Sequence, residues 1–280
     1  GGMPGLIKDN DAVIFFNFRE DRVRQLARAV IQPDFKEFPR PPLKNMFYAT
    51  LTPYETGLAA EVISPALELK YTLSQIISGA GKKQFKIAET EKYAHATYFF
   101  NGGRESVWPG EERKLIKSSA AVHFNETPQM KAAEISDSLA AAVKSGEYDF
   151  LLANIANADM VGHTGDQAAT VKAVEAVDAA VGKIMAAVLE KNGALIITAD
   201  HGNAEEKLNP LTGEINTEHT SNPVPLYLIM NNLKKPRIDN KPTEAKGILQ
   251  DVAATVLDLM GLPPPGDMDG KSLLPILYSQ

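Results

Sequence analysis

The chain has 280 residues, 44% of them hydrophobic and 23% charged, a balance that suits a globular protein of one large or two ordinary domains. A formal net charge of -6 and a pI near 5.5 argue against nucleic acid as a partner, and the absence of cysteine excludes disulfides, thiolate metal sites and cysteine nucleophiles. No apolar run approaches the ~18 residues that span a bilayer, so no membrane partner is expected and a cytoplasmic location is.

Short apolar runs predict strands at 12–18, 45–51, 85–89, 149–155, 194–199 and 224–230. Helical spacing predicts helices at 20–31, 67–79, 127–144, 167–191 and 247–260, with Thr127-Pro128 and Asp166 as helix starts. In the 167–191 helix, Val171, Val174, Val177, Val181, Ile184 and Val188 form the expected apolar stripe. Alternation of the two element types for most of the length argues for a mainly parallel sheet covered by helices. A turn-rich stretch from Thr52 to Gly57, followed by Pro65, suggests a division near residue 65. The first 65 residues hold little core, so they either add onto the larger domain or are the remnant of another.

The first strand leads into a helix whose opening turn carries Arg19 and Arg22. Arginine there opposes the helix dipole, which prefers acids, and such a conflict points to an anion held by guanidinium and backbone N–H groups. A solvated face pairing with Glu20 and Asp21 is the equal alternative. Ser78-Gly79-Ala80-Gly81-Lys82-Lys83 imitates a phosphate loop but lacks the leading glycine at Ile76 and closes a helix, so it is set aside. Lys92 follows the 85–89 strand and can reach the same crevice; His95 and His123 read as structural.

Three later segments hold the remaining histidines: Asp159-Met160-Val161-Gly162-His163, Asp200-His201-Gly202-Asn203 and Glu218-His219-Thr220-Ser221-Asn222-Pro223. A two-metal centre needs roughly five to eight oxygen and imidazole ligands from separate loops, and Asp159, His163, Asp200, His201 and His219 supply five of them. Both acid-histidine pairs follow a strand read as buried, at the sheet edge where ligands bind in open α/β folds. Gly162 and Gly202 suit a close backbone approach or a positive φ. For either aspartate alone, a helix N-cap is the competing reading.

In chain order, Phe15-Phe16-Asn17-Phe18-Arg19 with Asp21-Arg22, Ala88-Glu89-Thr90-Glu91-Lys92-Tyr93-Ala94-His95, Asn101-Gly102-Gly103, Trp108-Pro109-Gly110-Glu111 and the three histidine segments closely resemble cofactor-independent phosphoglycerate mutases. The resemblance covers nearly the whole chain. It implies an alkaline-phosphatase-like α/β fold, with residues 1–65 as the closing part of a substrate-binding transferase domain and 66–280 as the larger share of a metal-binding phosphatase domain. It implies interconversion of 3-phosphoglycerate and 2-phosphoglycerate through a phosphoserine, with two divalent metals, commonly Mn2+, no 2,3-bisphosphoglycerate, and a monomeric whole protein. Asp159, His163 and His219 would hold one metal and Asp200 and His201 part of the other, while Arg19, Arg22 and Lys92 would hold substrate phosphate or carboxylate. The family's opening Asp-Gly metal segment and its serine nucleophile have no counterpart here, so no catalytic residue is assigned and the chain alone is expected to be inactive. The competing expectations are another metalloenzyme of the same superfamily, such as a phosphopentomutase or phosphatase, and a metal-binding fragment without catalysis.

Overall fold

The computed structural model describes residues 5–41, 43–65, 69–119, 123–209, 212–233 and 245–278, without the side chains of Asp21 and Arg22. The chain divides into two compact units, Gly1–Leu69 and Lys70–Gln280.

In the smaller unit, β1 (Ala12–Phe15), β2 (Phe47–Thr50) and β3 (Glu61–Val62) form a parallel sheet in that order, with α1 (Glu20–Ile31) crossing between the first two strands. Its core is Phe15, Ala27, Ile31 and Tyr54. The Tyr54 ring meets Phe15 edge-on, while its hydroxyl donates to the carbonyls of Asn17 at 2.6 Å and Phe15 at 3.1 Å. Thr52 donates to the Phe18 carbonyl at 3.0 Å, so the turn leading to Arg19 is held from two directions.

The larger unit is built on β4 (Gln84–Glu89), which is buried along all six residues and pairs in parallel with β5 (Glu111–Ile116) on one side and β6 (Phe150–Asn154) on the other. Helices α4 (Ala132–Ser145) and α6 (Gln167–Glu190) pack with this sheet around Phe85, Ile87, Ile116, Ile135, Leu139, Ile184 and Val188. A separate antiparallel pair joins β7 (Leu195–Thr198) to β8 (Leu226–Ile229). Helices α2 (Leu73–Gly79), α3 (Thr90–Ala94), α5 (Asn157–Gly162), α7 (Asp251–Leu259) and α8 (Leu274–Tyr278) complete the unit, with a π-helical turn at His95–Phe99 directly after α3.

Several expected boundaries move. The helix expected over 127–144 begins at Ala132, because Met130 takes a left-handed conformation (φ 42°) and its N–H closes a turn onto the Thr127 carbonyl at 2.9 Å. The one expected over 67–79 begins at Leu73, where the Thr72 hydroxyl accepts from the Gln75 N–H at 3.3 Å; residues 67 and 68 lie outside the described residues. Asp166 does cap α6, accepting from the Ala169 N–H at 2.9 Å. Strands β6 and β7 are only partly buried, not buried as their apolar sequences suggest. Among the described residues, β6 pairs only with β4 and β7 only with β8, so each keeps one hydrogen-bonding edge open. No described helix is long and apolar enough to cross a membrane.

Candidate metal centre

Strand β6 delivers the chain to α5, where Asp159 sits in the first turn and His163 follows the last residue. The preceding cap is Ala156, so Asp159 is not an N-cap, and its side chain is held instead by Lys92 and Asn203. Asp159 and His163 stand four residues apart on one helix face, and the His163 Nε2 lies 3.1 Å from Asp159 Oδ1. The loop after β7 meets the loop before β8 through a bridge between Gly202 and Thr220, whose N–H donates to the Gly202 carbonyl at 2.9 Å. That pairing brings His219 to α5. Its Nε2 is 3.1 Å from the same Asp159 Oδ1 and 3.0 Å from His163 Nε2.

Asp159, His163 and His219 thus each offer one ligand atom, all within 4.8 Å of one another. The His163 Nδ1 is 2.7 Å from the Thr217 carbonyl, a bond that requires Nδ1 to carry the proton and leaves the Nε2 lone pair facing Asp159. A carboxylate oxygen and imidazole nitrogens converging on one point suit a divalent transition metal. The donor set therefore fits the group expected there.

Asp159 is tuned for this. Burial pushes its carboxyl up, but the Lys92 hydrogen bond and charge and an Asn203 hydrogen bond outweigh it and hold the carboxyl below its usual range. Lys92, on α3 at the end of β4, places its Nζ 2.5 Å from Asp159 Oδ2. The lysine expected to hold substrate is thus also a partner of the carboxylate.

The other expected ligands stand apart. Asp200 is 68% exposed, with its Oδ2 3.5 Å from the neighbouring His201 Nε2. The His201 ring stacks on His219 with centroids 3.6 Å apart, so it borders the cluster without joining the three ligand atoms. In the smaller unit, Arg19 is exposed and caps α1, its N–H donating to Asn17 Oδ1 at 2.8 Å. The Arg22 side chain lies outside the described residues. His95 packs on Phe99, and His123 is exposed beside a cavity of about 500 Å³ that His163 also lines.

A surrounding layer escaped the reading of the sequence. Asn203 Nδ2 donates to Asp159 Oδ1 at 3.1 Å, and Lys207 donates to Asn203 Oδ1 and, at 2.9 Å, to the Gly162 carbonyl. Glu205 accepts from the Asn203 N–H at 2.7 Å, from Thr220 Oγ1 and from Asn222 Nδ2 at 3.0 Å. Asn203, Thr220 and Asn222 adjoin the histidines in sequence and could have been scored as supports for ligands. Lys207 carries no such signal. The two glycines owe their place to close approach and not to positive φ: a Cβ on Gly162 would collide with the Asn203 side chain, and one on Gly202 with Glu205 and Thr220.

Comparison with known proteins adds the context. A family profile described as the metalloenzyme superfamily matches residues 31–264, and one described as the BPG-independent PGAM N-terminus matches residues 1–56. The 2,3-bisphosphoglycerate-independent phosphoglycerate mutase of Synechococcus sp. (strain JA-2-3B'a(2-13)) is 46% identical over 277 residues, covering 97% of this chain and 51% of the relative. That of Clostridium novyi (strain NT) is 47% identical over 268 residues, covering 95% and 51%. A crystal structure of Leishmania mexicana phosphoglycerate mutase at low cobalt concentration is 35% identical with a TM-score of 0.78, over 96% of this chain and 51% of that one. The chain spans about half the length of the curated relatives it matches.

Proposed function

The chain belongs to the metalloenzyme superfamily and has its alkaline-phosphatase-like fold, and we propose that it carries the metal-binding part of a 2,3-bisphosphoglycerate-independent phosphoglycerate mutase. The observation that carries the proposal is the placement of Asp159 Oδ1 within 3.1 Å of both the His163 and His219 Nε2 atoms. The reaction would interconvert 3-phosphoglycerate and 2-phosphoglycerate without 2,3-bisphosphoglycerate, in the cytoplasm, by a monomeric whole protein.

Asp159, His163 and His219 would hold one divalent metal, and Asp200 and His201 would contribute to a second, with Mn2+ as the proposed ion. Bound metal supplies neutralising charge for the oxygens of a transferring phosphoryl group. Lys92 would set its ammonium against a phosphate oxygen beside the Asp159 carboxylate it already touches. Arg19 and Arg22, at the start of α1, would hold phosphate or carboxylate by forked hydrogen bonds. Phosphoryl transfer through a covalent enzyme intermediate needs a nucleophile, and no serine of these 280 residues stands in the sequence context of the family's nucleophile. These 280 residues are therefore proposed to bind metal without turning over substrate.

An enolase-coupled assay with 3-phosphoglycerate and Mn2+, in the absence of 2,3-bisphosphoglycerate, tests this. The 280-residue chain should be silent while binding metal. Chelator-sensitive turnover by the chain would overturn the proposed lack of activity, and absence of metal binding would overturn the site.

A further inference from the structure

We infer that Lys207 is a positioning residue for the metal-facing oxygen of Asp159, acting through the side-chain amide of Asn203. The inference rests on the metal-centre reading above. Lys207 is 6% exposed, unusual for a loop lysine, and its ammonium donates to Asn203 Oδ1 and to the Gly162 carbonyl. An ammonium has only donors, so the Asn203 atom facing it must be the carbonyl oxygen. That choice turns the amide nitrogen toward Asp159, where Nδ2 lies 3.1 Å from Oδ1, the oxygen shared by both histidines. The opposite orientation would set two acceptor oxygens against each other at that spacing. Without the lysine, Asn203 keeps only its contact with Asp159 to orient the amide and loses the donor that fixes the opposite end.

Two further contacts make this lock rigid. Asn203 is 4% exposed, and its side-chain amide lies against the Gly162 backbone in the space that a Cβ there would fill. The Gly162 carbonyl, one of the last four of α5, accepts from the Gly165 N–H at 3.1 Å, and Lys207 is its second donor at 2.9 Å. A single buried ammonium therefore ties the Asp200–His201 loop to the helix that carries Asp159 and leads into His163. Lys207 would otherwise be a plain counter-charge to Asp159 and Glu205. The two roles predict opposite signs, since a plain cation near a metal site repels the metal.

The test is titration of the full chain with Co2+, followed by visible absorption, for wild type, K207M, K207R, N203A and the K207M/N203A double variant. K207M should lower Co2+ affinity by about 10-fold, the loss typical of a support behind a ligand, and K207R should recover most of it. In the N203A background, K207M should cost nothing more, because the path through the amide is already gone. Wild-type or tighter affinity in K207M overturns the inference, as does an undiminished second loss in the double variant. N203A at wild-type affinity overturns it even where K207M fails to fold. D159A separates this failure from that of the metal centre: binding unchanged in D159A removes the site and the inference together, whereas binding lost in D159A but kept in K207M removes only the role of Lys207.

Discussion

The larger unit contains two clusters of charged and polar side chains that differ in how they are satisfied. In the first, Lys86 on β4 is fully buried and donates to Ser74 Oγ at 2.7 Å and Asn101 Oδ1 at 2.5 Å, while lying 3.0 Å from Glu111 Oε1. Glu111 in turn accepts from Arg113 Nε at 2.6 Å and from the Trp108 N–H at 2.9 Å. Donors face acceptors among these named groups. In the second, Asp159, His163 and His219 set one carboxylate and two imidazoles around a common point, with His163 and His219 exposed. A carboxylate oxygen and the His163 Nε2 lone pair face each other there, an arrangement that a cation completes. Both clusters contain acids and bases at close range; the match of donors to acceptors separates a structural network from a binding site.

The largest effect should come from breaking the first cluster. E111Q leaves Lys86 and Arg113 without their shared countercharge in a buried place, which costs roughly 3–5 kcal/mol. Thermal denaturation should show the loss, while Co2+ affinity stays near that of the wild type. The acid dependence sharpens the assignment. Burial pushes the Glu111 carboxyl up, but hydrogen bonds from Arg113, Trp108, Lys86 and Asn101 override it and bring it down from 4.5 to about 2. A carboxyl lowered on folding stabilises the native state above its unfolded pKa, and that contribution fades as pH falls from 4.5 toward 2. The E111Q melting temperature should fall less steeply than that of the wild type over this window. Parallel curves would mean that Glu111 is not the group being protonated.

The second cluster should respond to metal instead. At a free metal concentration of 100 times Kd, binding stabilises the native state by about 2.7 kcal/mol, so a chelator should lower the wild-type melting temperature. D159A should weaken metal binding by roughly 10-fold or more, with correspondingly little response to chelator. A chelator shift of the same size in D159A would place the metal elsewhere.

The sequence showed the β-strand order of events well and the burial of α6 poorly. Strands β1, β2, β4, β6, β7 and β8 each lie within one residue of a predicted apolar run or inside it, because a short apolar segment between turn residues has few other stable choices. β5 went unread: its sequence Glu-Glu-Arg-Lys-Leu-Ile is mostly charged, and pairing with β4 decides its conformation. In α6 the expected valine stripe is buried only at Ile184 and Val188, while Val171 and Val174 are 53% and 44% exposed. The helix instead turns Ala169, Ala173, Ala180 and Ala187 inward. Valines mark the larger apolar surface, but α6 lies against α4 and α5, and small side chains permit that close approach. At the site, Asp159, His163 and His219 were readable because each follows an apolar run or sits in a short histidine segment. Lys207 was not, because its role arises only when the loop after β7 folds against the end of α5, while Asn203 offered just its place beside His201 in the sequence.

The smallest effect concerns a third kind of charged contact, the exposed pair. Lys144 on α4 and Glu190 on α6 lie 3.1 Å apart at 55% and 59% exposure. The distance is about that of Lys86 and Glu111, so a view of ion pairs based on distance alone would assign the two equal weight. Water screens the exposed pair and leaves either partner well solvated when the other is removed, which limits its contribution to about 0–1 kcal/mol. K144A should therefore change the melting temperature little, and moderate salt should erase even that change. A loss in K144A comparable to that of E111Q would show that burial does not set the scale. The contrast between the clusters would then have to rest on donor and acceptor matching alone.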